Sequence, residues 1–408
     1  MKICFLVGSI AISGGTYVIL QHASFLKKAG HDVTLAIQEA FDDSTRAWHD
    51  EALELECVPI EAAKSSSFDL VIATWWKTVF ELHNFSATHY AYFVQSIETK
   101  FYPEEEKPLR ELVESTYKFP LSYATEATWI REYLAAEHGH TAALIKNGIR
   151  KDIYHPRSPG RNGIALKQPR ILVEGHFGVR FKNTALAVKL AREAGAQDIW
   201  VLTGTPIPFK WLPNVRKVFS RVHMAKTADI YRSCDVLIKL STVEGMFGPP
   251  LEMFHCGGTA VVFDVTGHDE YIVDGDNARV VRTGDLEGAV AAIRQLISEP
   301  SILKQLKEGA LKTAAEWPSW ESASAQFAEW VLKVSSGPMV DRAVFEEATK
   351  ASFQKYEAEE RLRLEIKVRT MPRHKISQMA ARLPPGLFRI FKGIEAVMEI
   401  ISPAKKVY

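Results

Sequence analysis

Short apolar runs alternate along this chain with polar loops and with segments whose apolar residues recur at helical spacing. Lys2 to Val7, His31 to Ile37, Phe68 to Thr74 and His89 to Ile97 read as strands. Continuous apolar runs of this length suit strands covered on both faces. Thr16 to Ala29 has a helical pattern stopped by Gly30, and Ser13-Gly14-Gly15 ahead of it reads as a tight loop. Ser122 to Thr128 and Ala143 to Pro156 continue the series. Ser158 to Gln168, rich in Gly, Pro and polar residues, reads as a linker. The pattern then restarts: Arg170 to Glu174 is a strand, Asn183 to Ala194 a helix, Ile199 to Thr203 and Val236 to Leu240 further strands.

Strands alternating with helices predict an α/β chain with parallel sheets, here two doubly wound Rossmann-like domains facing a cleft. The expected layout is an N-terminal domain over 1–160, a second over 161–316, a crossover helix over 317–336 returning to the first, and a helical, basic extension over 337–408. Met1 to Ile12 is read as the first strand rather than a signal peptide, since no small-residue cleavage pattern follows it.

The most informative stretch is Ser241 to Asn277. Gly245 and Gly248 loosen the chain before Pro249 and Pro250, which suit a first helical turn, and Gly257-Gly258 ends that helix before the apolar run Thr259 to Val265. In such a unit the loop and helix start open at the carboxyl ends of the strands, where ligands bind. Helix-start amides near Phe247 and Gly248 favour an anion. Glu244 and Glu252 flank the same spot, and ionised carboxylates accept hydrogen bonds from hydroxyls. A sugar diphosphate offers both chemistries.

Composition removes several classes. The 408 residues are 47% hydrophobic and 24% charged, and no apolar run approaches the ~18 residues of a membrane span. Residues 361–408 hold 11 Lys/Arg against 3 Asp/Glu, leaving an acidic main body, so nucleic acid is not expected as a partner. Cys4, Cys57, Cys234 and Cys256 are scattered without metal-ligand spacing, no metal site is expected, and reduced, cytosolic cysteines are the reading. His138 and His140 are assigned to a surface turn.

The stretch around Glu244 and Glu252 resembles the retaining glycosyltransferases of family 4, which have the GT-B fold. The two glutamates keep the family spacing, while Met246 places Phe247-Gly248 one position later than usual. Asn147, Gly148, Ile149, Tyr154 and Pro156 match the close of the family's N-terminal domain, with Arg150 in place of an aspartate. In Gly175 to Lys182, Lys182 matches a phosphate-binding lysine and His176 stands where relatives have arginine, with Arg180 close enough to supply that charge. Gln95 occupies the position of a histidine near the donor sugar. Tyr92 to Gln95 with Phe101 to Pro103 resembles a rhamnosyltransferase branch of bacterial surface-polysaccharide synthesis.

The resemblance implies transfer of a sugar from a nucleoside diphosphate donor to an acceptor hydroxyl with retention, in polysaccharide, O-antigen or glycan biosynthesis, and without a cofactor. It assigns Glu244, Lys182 and Arg180 to catalysis. Glu252, Phe247, Gly248, Gly14, Gly15, His176, Thr266 and Gly267 are assigned to the donor, and Gln95 and Glu98 to the vicinity of the sugar or acceptor. A sugar-nucleotide epimerase or hydrolase of the same fold, and a noncatalytic sugar-nucleotide-binding scaffold, are the alternatives. A glycan or lipid-linked acceptor is the expected partner. Leu387, Ile390, Phe391, Ile394, Val397, Met398 and Ile401 form an apolar helical stripe in the basic tail, suited either to self-association or to the inner face of the cytoplasmic membrane.

Overall fold

A computed structural model describes residues 1–156, 168–206 and 215–370. Two parallel sheets organise it. The first comprises β1 (Lys2–Val7), β2 (Asp32–Ile37), β3 (Glu56–Pro59), β4 (Ser67–Ala73), β5 (Ser86–Val94), β6 (Ser122–Thr125) and β7 (Ala143–Leu144), in the order β3-β2-β1-β4-β5-β6-β7. The second comprises β8 (Ile171–Glu174), β9 (Ile199–Thr203), β10 (Lys217–Ser220), β11 (Val236–Lys239), β12 (Thr259–Phe263) and β13 (Arg279–Val281), in the order β10-β9-β8-β11-β12-β13. Both orders reverse at the domain's first strand, β1 or β8, which leaves a crevice beside its carboxyl end. Each sheet is covered on both faces by apolar side chains, which accounts for the unbroken hydrophobic runs.

The crossover is visible in the packing. Helix Trp320–Ser335 buries Trp320, Phe327, Trp330 and Val331 against β1, β2 and the helix Gly14–Lys28 of the first domain. It enters past Asn147-Gly148-Ile149. The Ile149 amide donates to Pro318 O at 3.1 Å, and Trp317 Nε1 donates to Asn147 O at 2.8 Å. A Cβ on Gly148 would lie 2.3 Å from the Trp320 nitrogen, so only glycine lets the two backbones meet. Helix Arg342–Thr370 continues onto the outside of the first domain, where Phe345 is buried against Tyr90 and Phe119. The apolar stripe expected at Leu387 to Ile401 lies outside the described residues. Among the described residues no helix is long and apolar enough to cross a membrane.

Two local expectations change. Gly14 and Gly15 form the first turn of the helix Gly14–Lys28, because Ser13 caps it by accepting the Thr16 amide. His138 and His140 are packed rather than looped out: His140 stacks on Tyr123 at 4.2 Å, and His138 Nε2 lies 2.7 Å from Glu114.

Candidate functional site between the two sheets

The carboxyl ends of β8 and β11 carry a charged cluster. Val173 and Ile238 are in register, so the residues that follow them, Glu174 and Lys239, emerge side by side. Lys239 Nζ lies 2.5 Å from Glu174 and 3.8 Å from Glu244. Lys182 Nζ contacts both oxygens of Glu244 at 2.8 Å. Burial opposes the charge on Lys239, but Glu174 and Glu244 outweigh it and hold the ammonium above the usual lysine range. Burial likewise opposes charge on Glu244, yet Lys182 and Lys239 keep that carboxyl below its ordinary value. Glu244 is therefore an ionised acceptor held in place by two lysines.

Glu252 lies one turn into the helix Gly248–His255, facing the buried phenols of Tyr231 and Tyr154. Burial pushes its carboxyl up to about 7, aided by the nearby Glu174 and opposed by the two phenols and Lys239. His176 packs against the Gly204 backbone. Burial, Lys182 and Lys239 lower its basicity, so it stays neutral near pH 7 and does not supply the charge of the arginine it replaces. Arg180, at the start of the turn Arg180–Lys182, is exposed and makes no ion pair among the described residues.

The helix start is poorer in donors than the glycine-rich loop suggests. Pro249 and Pro250 have no amide hydrogen. The Met246 amide donates to Glu126 at 3.0 Å, and the Gly248 amide turns back to Met246 O at 3.0 Å. Phe247 is fully buried, and its carbonyl accepts from Tyr271. The cation shown at this loop is Lys182, held on Glu244. Thr266 and Gly267 brace the loop from behind: Thr266 Oγ1 donates to Glu244 O at 3.0 Å, and Gly267 lies against the Gly245 carbonyl.

The first domain closes over the loop. A Cβ on Gly245 would lie 1.9 Å from the Gln95 carbonyl, which puts Gln95 directly opposite the Glu244-Gly245 peptide. The Gln95 amide donates to Gly15 O at 3.0 Å, tying it to the start of the first helix, while Gly14 is exposed nearby. Trp129 Nε1 donates to Gly245 O at 2.9 Å. Glu126 accepts from Asn147 Nδ2 at 2.9 Å as well as from Met246, and burial raises it to about 7. Phe101 stacks on Phe181 at 4.9 Å, and Glu270 reaches across to the Thr128 amide and to Lys146 at 2.8 Å. Glu98 stands apart from this group. It is buried in the first domain, where it accepts from the Trp76 amide at 2.9 Å and from Tyr92 at 3.2 Å. Burial pushes it up to about 8, so it acts within the core and not in the cleft.

Sequence reasoning passed over Lys239, Glu174 and Glu126. The signal for the first two was present, since each is a charge closing an otherwise apolar strand. Glu126 had no such signal, because only the closed arrangement of the domains brings it to Met246.

The architecture is GT-B: two parallel α/β domains joined by a crossover helix, with the charged cluster in the cleft. Residues 212–313 match the family model described as Glycosyl transferases group 1. The O-antigen biosynthesis protein RfbC of Myxococcus xanthus is 25% identical over 291 residues, covering 69% of this chain but only 22% of that protein. Among solved structures, the sucrose-phosphate synthase of Thermosynechococcus elongatus superposes with a TM-score of 0.65 at 13% identity, covering 82% of this chain and 99% of the other. HepE of Anabaena, solved with UDP and glucose, has a TM-score of 0.65 at 16% identity, covering 82% and 100%.

Proposed function

We propose that the protein transfers a sugar from a nucleoside diphosphate donor to an acceptor hydroxyl with retention of anomeric configuration, in the assembly of a bacterial surface polysaccharide. The observation that carries this reading is the Lys182–Glu244 pair at the carboxyl ends of β8 and β11, with Gln95 of the other domain against the same loop. A lysine for the diphosphate and a carboxylate for sugar hydroxyls, placed side by side, match the two halves of such a donor. The group 1 match over 212–313 and the O-antigen relative support it.

In the proposed reaction the bond between the anomeric carbon and the diphosphate oxygen breaks, and negative charge develops on the distal phosphate. Lys182 and Arg180 stabilise that charge. Glu244 holds the sugar and Glu252 the ribose. The acceptor oxygen bonds to the anomeric carbon from the face the diphosphate leaves, and its proton passes to the departing phosphate oxygen. A lipid-linked acceptor at the cytoplasmic membrane face suits polysaccharide assembly, and a rhamnosyl donor is the specific variant that Tyr92 to Gln95 suggests.

A noncatalytic sugar-nucleotide scaffold is favoured by one observation, the neutral His176 in place of an arginine. The test is a thermal-shift screen of nucleotide sugars, since a bound donor raises apparent stability by mass action. Product analysis with and without added acceptor follows. Transfer only with acceptor supports the proposal. Donor cleavage or epimerisation without one supports the alternative enzymes, and binding without turnover the scaffold.

A further inference from the structure

Lys239 is an unusual residue for its position. It ends a strand whose other members are buried, and only 2% of it is exposed. A buried lysine keeps its charge only when groups such as carboxylates compensate it. Glu174 on β8 and Glu244 after β11 provide them, and Glu252 on the helix Gly248–His255 adds to the field. Among the described residues Lys182, the neutral His176 and the phenols of Tyr154, Tyr231 and Tyr271 also face this cluster from the second domain and its approach, and Glu126 faces Glu244 from the first.

The two lysines are not equivalent. The Lys182 side chain is 23% exposed and sits on the cleft side. An incoming diphosphate competes for its ammonium, which in the free protein spends two contacts on Glu244. The Lys239 side chain is sealed behind Glu174 and Glu244, out of a ligand's reach. Glu244 is 8% exposed beneath that pair, and when Lys182 turns to phosphate it keeps a second carboxyl, Glu126, nearby. Without another cation it would take up a proton, and a protonated carboxyl no longer accepts from two sugar hydroxyls.

We propose that Lys239 is the standing counter-ion of Glu244, taking over from Lys182 once the donor's diphosphate has drawn that lysine away. Glu174 is the anchor that keeps Lys239 at this post. Lys239 is thus a positioning residue that touches no substrate, and sugar recognition depends on it. The inference rests on the function proposed above, and specifically on a diphosphate meeting Lys182.

The test is calorimetric proton linkage in full-length protein, with UDP, ADP, GDP and dTDP as probes near neutral pH in two buffers of different ionisation heat. Glu174→Gln/Lys239→Met removes the ion pair as a unit, so no unpaired buried charge is left to prevent folding. In that background the diphosphate that binds wild type should draw in up to about one proton more than in the same background carrying Glu244→Gln as well. With Lys239 present, the Glu244→Gln change should leave proton uptake unaltered, and Lys239→Arg should behave as wild type. A purely structural Lys239 would change stability without creating this Glu244-dependent uptake. Equal uptake with and without Glu244→Gln in the pair-deleted background overturns the proposal. If wild type binds none of the four diphosphates, the function reading itself fails, a separate outcome.

Discussion

Replacing Glu252 with glutamine should weaken nucleotide binding while making the folded protein more stable in mild alkali. The carboxyl stands at about 7 in the fold against an ordinary 4.5, because burial and Glu174 disfavour its charge. Between those two values the native state holds a proton that the unfolded chain has lost. Stability therefore falls as pH rises through that window, and the whole penalty is present above about pH 7. At ~1.4 kcal/mol for each tenfold change in acidity, the displacement corresponds to roughly 3 kcal/mol, an upper bound because Glu252 retains some solvent contact. Glutamine has the same shape and no charge. Glu252→Gln should thus gain up to about 3 kcal/mol over wild type near pH 8 and almost nothing near pH 5. For a domain of this size that is a rise of several degrees in melting temperature, of the order of 5–10 °C.

Function should move the other way. An ionised carboxylate accepts from both ribose hydroxyls, whereas the amide has one accepting oxygen. Loss of a charged hydrogen bond costs roughly 1.5–3 kcal/mol, or about ten- to a hundredfold in affinity for the free nucleoside diphosphate. Melting curves of wild type and Glu252→Gln at both pH values, with titration calorimetry of the nucleotide, check both halves. A stability difference that is the same at both pH values refutes the burial argument. Unchanged nucleotide affinity refutes the ribose assignment.

Lys182→Ala should lower turnover more than donor affinity, and a chelator should do little; full activity in the variant, or strict dependence on a divalent ion, removes the proposed charge stabilisation. Gly245→Ala should force the domains apart, because its methyl would meet the Gln95 backbone at 1.9 Å. Small-angle scattering should show an expanded particle with normal helix content, and unchanged scattering with full transfer would contradict this. Deleting residues 371–408, beyond the end of helix Arg342–Thr370, should abolish co-flotation with liposomes of rising anionic content if the basic tail seeks membrane. A change in native mass on truncation would instead assign the tail to self-association.

The fold was legible because burial on both faces writes parallel strands as unbroken apolar runs. The strands at Lys2, His31, Phe68, Arg170, Ile199 and Val236 emerge within a few residues of where those runs lie. Helix starts were harder, since Ser13 capping draws Gly14 and Gly15 into a turn that glycine content alone assigns to a loop. At the site, spacing brought Lys182, Glu244 and Glu252 to attention, and the structure gathers all three around β8 and β11. Glu98 shows the limit of such reasoning. It follows a strand end, as site residues do, but the 3-10 turn Glu98–Phe101 rotates it toward Trp76 and Tyr92 in the core. Lys239 is the opposite failure, a site residue concealed within an apolar pattern.

The contacts across the cleft also constrain how the site works. Glu244, Gly245 and Met246 are consecutive, and each is held differently: the first by lysines of its own domain, the second by Gln95 and Trp129, the third by Glu126 of the other domain. Separating the domains would release the second and third while leaving the first in place. On the function proposed above, donor diphosphate is captured by Lys182 and Arg180 in an open form. In that proposal the sugar lies between Glu244 and Gln95, an arrangement the contacts hold only when the cleft is shut. Binding energy from the nucleotide half of the proposed donor would then drive closure, and closure would exclude water from the glycosyl bond. The glycine at 245 is what lets the two backbones come close enough for this to happen.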